Sequence, residues 1–183
     1  MTTDLKPTKL KGFLDGLGGN DIRKTRWLTP RPLVESLGHF DLDPCGAPGW
    51  ELADRTFLLE NGEDGLELPW EGRVWCNPPY GKEAYPFLRR MVQHRHGTAL
   101  IFARVETEMF FETVWEGATS VLFLKGRLTF LDDLTFEPAK ANSGAPSCLV
   151  AYGAEDTRAL AYSGLPGRLV LIDKTLTPRK ALE

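Results

Sequence analysis

The chain has 183 residues, 42% hydrophobic and 26% charged, with a formal net charge of −3. That length and balance describe a single globular domain able to build a full core. They argue against a protein that coats nucleic acid nonspecifically, against a membrane-spanning segment and, with only Cys45, Cys76 and Cys148 and no ligand spacing, against a zinc module. Reduced thiols in a cytoplasmic protein are the expectation.

Residues 1–22 show no clear period and are expected to form a flexible arm ahead of a domain at 23–183. Thr29-Pro30 reads as a helix start, an N-cap followed by proline at the first helical position, and Gly38 ends that helix. Phe40-Asp41-Leu42-Asp43-Pro44 reads as a buried strand finishing in acidic residues. Arg55–Leu59 and Arg73–Cys76 are the next strands. A helix over Ala84–His96 carries Tyr85, Leu88 and Val92 on one face. Thr98–Val105 is continuously apolar in its centre, as in a strand buried on both faces. Thr107 caps a helix closed by Gly117, and strands follow at Val121–Leu124, Leu128–Leu131 and Cys148–Tyr152. A helix near Asp156–Tyr162 and a strand at Leu169–Ile172 complete the series. Strands alternating with helices predict an α/β fold with a mostly parallel sheet and some antiparallel strands late in the chain.

In such a sheet, ligands sit at the carboxyl ends of parallel strands. Two of those ends carry Asp41, Asp43 and Pro44, and Asn77-Pro78-Pro79-Tyr80. The second run suits a planar group bearing an exocyclic NH2. Asn77 Oδ1 and the Pro78 carbonyl can each accept one N–H, which concentrates electron density on an otherwise delocalised nitrogen. Proline fits because its φ is fixed and it has no N–H to satisfy. Tyr80 can stack on the ring, a contact worth roughly 1–3 kcal/mol per base. Asn and Pro are also ordinary turn formers. The strand before this run and the helix after it favour the chemical reading. With a sulfonium methyl donor the step is an in-line displacement, in which positioning supplies most of the rate.

Other residues read as follows. Arg104, at the end of the central strand, is a candidate phosphate contact, as is Lys82 behind Tyr80. Arg127 is a nucleic-acid contact or a brace for a carboxylate. Asp64, in Glu63-Asp64-Gly65, is either a turn aspartate or a ligand contact. Arg89, Arg90 and Arg95 read as a solvated helix face, and His39, His94 and His96 as surface residues without metal spacing. Only about thirty residues separate Asp43 from Asn77, too few for two full strand–helix units. A crossover is therefore missing, or the pocket between them is unusually open.

In chain order, Trp27-Leu28-Thr29-Pro30, Phe40 to Cys45, Asp64-Gly65-Leu66 with Trp70, Val74 to Tyr80, Ala103-Arg104 with Thr107, Gly126 to Phe130 and Pro146-Ser147 together resemble the small phage-type DNA N6-adenine methyltransferases of the Dam family. The resemblance implies a compact Rossmann-like methyltransferase that uses S-adenosylmethionine and acts on double-stranded DNA in the cytoplasm of a bacterial host. It places Asp43 and Pro44, with Asp41 behind them, at the methionine part of the cofactor and Asp64 at its adenine. Trp27, Thr29 and Pro30 wall the pocket, and Asn77 to Tyr80 hold the target amine. It implies neither a metal nor a membrane, and leaves oligomeric state open. Cytosine N4, an RNA base and a glutamine amide present a similar NH2, so they remain alternative substrates, and a non-catalytic DNA-binding relative is a further alternative. The glycine-rich loop of the family is reduced to Gly46-Ala47-Pro48-Gly49, and no inserted target-recognition domain is visible.

Overall fold

The computed structural model describes residues 26–176, so the arm expected at 1–22 lies outside the described residues. Seven strands form the main sheet: β2 (Leu42–Asp43), β3 (Arg55–Thr56), β4 (Val74–Cys76), β5 (Gly97–Phe102), β6 (Ser120–Leu124), β8 (Ser147–Tyr152) and β9 (Gly167–Leu171). Their spatial order is β3-β2-β4-β5-β8-β6-β9. The β2/β3, β2/β4 and β4/β5 pairs are parallel, whereas β5/β8, β6/β8 and β6/β9 are antiparallel. Five strands thus run one way, with β8 and β9 opposed. This is a mixed α/β sheet, parallel in its first half and antiparallel in its second. A separate ribbon pairs β1 (Trp27–Leu28) with β7 (Leu131–Asp132).

Alternation along each strand feeds two cores, one on either face. Val74, Cys76, Ala99, Ile101, Cys148, Val150 and Tyr152 point to one face. There they meet α2 (Ala84–His94) and the helical segment that begins as α3 (Glu108–Phe110) and continues as a π turn over Phe111–Trp115. Trp75, Leu100, Leu122, Leu149 and Ala151 point to the other, against Leu33, Val34 and Leu37 of the α1 region (α1, Arg31–Glu35) and Leu160 of α4 (Ala154–Tyr162). All six residues of β8 are buried.

The strands expected at Arg55–Leu59 and Thr98–Val105 end at Thr56 and Phe102, and three further boundaries differ for local reasons. The helix after Tyr80 stops at His94, because Arg95 takes a left-handed conformation (φ 61°) and its N–H closes on the Met91 carbonyl at 2.9 Å. Its buried face is Ala84, Phe87, Leu88 and Met91, a helical spacing, with Tyr85 and Val92 at the margin. Pro30 rather than Thr29 precedes α1, and no side chain caps it. The strand expected at Leu128–Leu131 shrinks to Leu131–Asp132 and leaves the main sheet, because Asp132 Oδ1 draws the Leu134 and Thr135 amides into a tight turn at 3.0 Å each.

No α-helix lies between β2 and β4; only a 3₁₀ turn at Leu59–Asn61 interrupts the chain there. A crossover is indeed missing. The two connecting loops fold over the carboxyl end of the sheet instead, and that decides the shape of the site.

Candidate active site

These loops, the β1 strap and the carboxyl ends of β2 and β4 enclose a cleft of about 1020 Å³. It lies at the upper end of ordinary small-ligand sites, roughly 300–1,000 Å³. Its wall includes Trp27, Thr29, Asp43, Pro44, Asp64, Asn77, Pro78, Pro79, Tyr80 and Lys82. The fold therefore gathers ten of the residues singled out from the sequence into one concavity. Close loop packing makes this wall possible. A Cβ on Gly46 would fall 2.1 Å from Thr56 Cγ2, and one on Gly65 would fall 1.8 Å from the Pro44 carbonyl oxygen. The shortened glycine run thus serves loop contact.

Asn77 sits one residue past β4. Its Nδ2 donates to the Trp27 carbonyl at 2.9 Å. A carbonyl can only accept, so this bond fixes which end of the amide faces the strap. Asn77 Oδ1 is left buried without a partner. Tyr80 follows with one ring face stacked on Phe102, centroids 4.3 Å apart and planes 13° apart, and Phe130 at an edge contact of 5.9 Å. Its hydroxyl is also buried and unpartnered, and burial raises its pKa.

Asp43 ends β2 and is 3% exposed. Its Oδ1 accepts the Cys45 amide at 3.0 Å. Burial nevertheless pushes the carboxyl up to about 7, against the lowering effects of the Cys45 bonds and the charge of Arg26. Cys45 also lines the cleft, and its sulfur is 3.7 Å from that of Cys76. Burial, then the contact with Cys76, drives its pKa well up, which keeps it a thiol and unsuited to nucleophilic attack.

Asp64 is a turn aspartate that also faces the cleft. Its Oδ1 closes a turn on the Leu66 amide at 2.8 Å, and it lines the cleft. Arg90, read from sequence as solvated, instead reaches under this loop and donates to the carbonyls of Gly65 (3.1 Å) and Leu68, with its guanidinium 4.8 Å from the Trp70 ring centroid.

Four residues are not brought to the cleft. Asp41 accepts the Arg73 amide at 2.5 Å and lies 3.5 Å from His39, which ties the start of β2 to β4. Pro30 leads into α1 outside the wall. Arg104 and Arg127 are exposed and also outside it. His39 is no isolated surface residue. It stands 3.1 Å from Asp54, and the ligand atoms of His39, Asp41 and Asp54 lie within 4.8 Å of one another, able to share a cation at the exposed rear of the sheet.

Sequence reasoning missed Trp50 and Trp75. Trp50 donates to the Thr29 carbonyl at 2.9 Å, stacks on Phe136 at 5.7 Å and packs under Arg31, which locks the strap over the cleft. No local pattern marks it. Trp75 lines the cleft with a buried, unpartnered indole N–H, and alternation with Asn77 along β4 is the signal that places it there.

A search of curated proteins returns no match. The family model described as DNA N-6-adenine-methyltransferase (Dam) matches residues 20–165, a span that contains every residue of the cleft wall. With four-fifths of its length matched, the chain belongs to the DNA N-6-adenine-methyltransferase (Dam) family.

Proposed function

We propose that this protein transfers a methyl group from S-adenosylmethionine to the N6 amine of adenine in double-stranded DNA, with the target base turned out of the duplex into the cleft at Asn77–Tyr80. The observation that carries this reading is Asn77 Oδ1: an acceptor buried in the cleft, without a partner, and oriented by the Trp27 carbonyl. An unpaired buried polar atom costs about 1–3 kcal/mol, which an arriving N–H would recover.

The residues present suit the methyl donor. Asp43, Thr29, Pro44, Trp27 and Asp64 line the same cleft as Asn77, and the first two are buried polar groups. When bound, the donor supplies an electrophilic methyl on a positively charged sulfur. Asn77 Oδ1 and the Pro78 carbonyl accept the two amine hydrogens and turn the nitrogen lone pair toward that methyl. Tyr80, one face already on Phe102, offers the other to the base. Extrusion of the base costs a few kcal/mol, and this stacking offsets part of it. The nitrogen becomes acidic only after it is methylated, so no strong base is needed beside it. Lys82, exposed at the rim, meets a phosphate near the flipped nucleotide. Arg104 and Arg127 lie outside the wall and serve the flanking backbone. The phage-type assignment rests on the sequence resemblance alone.

The test is nucleoside analysis of DNA incubated with the protein and S-adenosyl[methyl-³H]methionine. Label in N6-methyladenine is the expected result. Label in N4-methylcytosine, or transfer only to RNA or to a glutamine amide, would move the substrate. No transfer together with no binding of the donor would favour a non-catalytic DNA-binding relative.

A further inference from the structure

Two buried donors in the cleft have no part in the amine chemistry. Trp75 is 0% exposed and Thr29 1% exposed. Neither Trp75 Nε1 nor Thr29 Oγ1 has a hydrogen-bond partner, and both residues line the cleft. An indole N–H donates and never accepts, so its partner has to be an acceptor.

Topology fixes where that acceptor sits. Trp75 and Asn77 flank Cys76 on β4, so they share a face, and Trp75 lies two residues deeper, ~7 Å along the strand. The parallel register pairs Leu42 with Val74, which carries Asp43 alongside Trp75 on the adjacent strand, ~4.8 Å away at the backbone. Leu42 and Val74 both belong to the opposite core, so Asp43 and Trp75 face the same way. Thr29 follows Trp27, whose carbonyl takes Asn77 Nδ2, by two residues in the strap and lines the same cleft. Below the amine acceptor, therefore, an N–H donor stands beside a carboxyl group, and the same cleft holds a buried hydroxyl. A carbon bearing both an ammonium and a carboxylate is complementary to that set.

We propose that Trp75 Nε1, together with Thr29 Oγ1, binds the carboxylate of the methyl donor's amino-acid end, while Asp43 takes its ammonium. The inference rests on the methyl-donor reading above and adds Trp75 as a binding residue. The separation of the two levels agrees with it, because in such a donor the reacting methyl and the amino-acid chain are different substituents of the sulfur, and the amino-acid carbon lies two methylenes beyond it. Burial that holds the free Asp43 carboxyl near neutrality supports it too: an ammonium partner favours the ionised form and draws off the proton.

Two probes separate the amino-acid end from the rest of the ligand. S-adenosylhomocysteine carries it, and 5′-methylthioadenosine has the same nucleoside and sulfur without it. In the ¹⁵N-labelled full chain, S-adenosylhomocysteine should shift the Trp75 indole N–H resonance downfield, and 5′-methylthioadenosine should leave it in place. By calorimetry, Trp75→Phe should weaken S-adenosylhomocysteine by roughly tenfold or more, the loss of a charge-assisted hydrogen bond, with 5′-methylthioadenosine affinity unchanged. Equal displacement of the resonance by both ligands, or unaltered binding of S-adenosylhomocysteine by a folded Trp75→Phe variant, would overturn the proposal and leave the methyl-donor reading intact. If the substitution prevents folding, the wild-type resonance decides alone. A wild-type protein that binds neither ligand overturns both.

Discussion

At the residue scale, Asp43 couples the stability of the fold to pH. Its carboxyl is raised from 3.8 to about 7 by burial, so the folded state holds a proton that the unfolded state releases above the ordinary carboxylate range. Between these two pKa values the folded state binds more protons, and its stability falls as pH rises; the penalty is complete above about 7. Asp43→Asn keeps an acceptor for the Cys45 amide and removes that penalty. Thermal unfolding at pH 8 should show the variant more stable than wild type, by several degrees if the gain is a few kcal/mol. At pH 4 the advantage should vanish. A variant less stable than wild type at pH 8 contradicts the raised carboxyl. The same variant should bind the methyl donor more weakly, as expected of a binding group held at the expense of stability.

At the scale of elements, the site depends on loops where other sheets of this kind have helices. The loop at 62–70 has no regular structure and is held from below by Arg90, through the carbonyls of Gly65 and Leu68, and by Trp70, whose Nε1 donates to the Gly65 carbonyl at 2.8 Å. Arg90→Ala should speed amide hydrogen exchange at Leu66 and Leu68 by tenfold or more, the equivalent of ~1.4 kcal/mol, while the β5 and β8 amides exchange as in wild type. Unchanged exchange across the loop would show that Arg90 does not hold it.

Legibility from sequence follows the same division. Residues 98–103 and 148–152 declare themselves because both faces of those strands are buried and nearly every side chain is apolar. Asn77-Pro78-Pro79-Tyr80 is legible because rigid, acceptor-rich chemistry is written in consecutive residues. The β1/β7 ribbon is not, since two-residue strands far apart in the chain carry no periodicity. The fate of Asp41 and Asp43 was half legible. Two residues apart, they share a face by alternation, which does not show that the Arg73 amide would take Asp41 and leave Asp43 to the cleft.

At the scale of the whole molecule, one buried ion pair spans the sheet. Arg73 Nε lies 2.8 Å from Asp156 Oδ1, and its Nη1 donates to the carbonyls of Leu37 (2.9 Å) and His39 (2.8 Å) while the guanidinium covers Phe40. Thr98 donates to the same carboxylate oxygen at 3.1 Å. This cluster joins the start of β4, the end of the α1 region, β5 and α4 beneath the cleft. Removing one partner leaves a buried charge uncompensated. Arg73→Met and Asp156→Asn should each cost about 3–5 kcal/mol in urea unfolding, and the double variant less than their sum. Additive effects would mean that the two groups do not interact.

The chemistry proposed for the cleft turns on one atom, Asn77 Oδ1, kept free by the strap that binds its amide nitrogen. The most direct measurement is single-turnover methyl transfer to adenine-containing duplex DNA by Asn77→Ala, with S-adenosylmethionine and DNA binding measured on the same preparation. The proposed role of Asn77 Oδ1 predicts that both ligands still bind and that transfer falls by roughly 10²–10³-fold or more, the size of effect seen when a reaction-orienting polar group is removed. Transfer at the wild-type rate by that variant would contradict it.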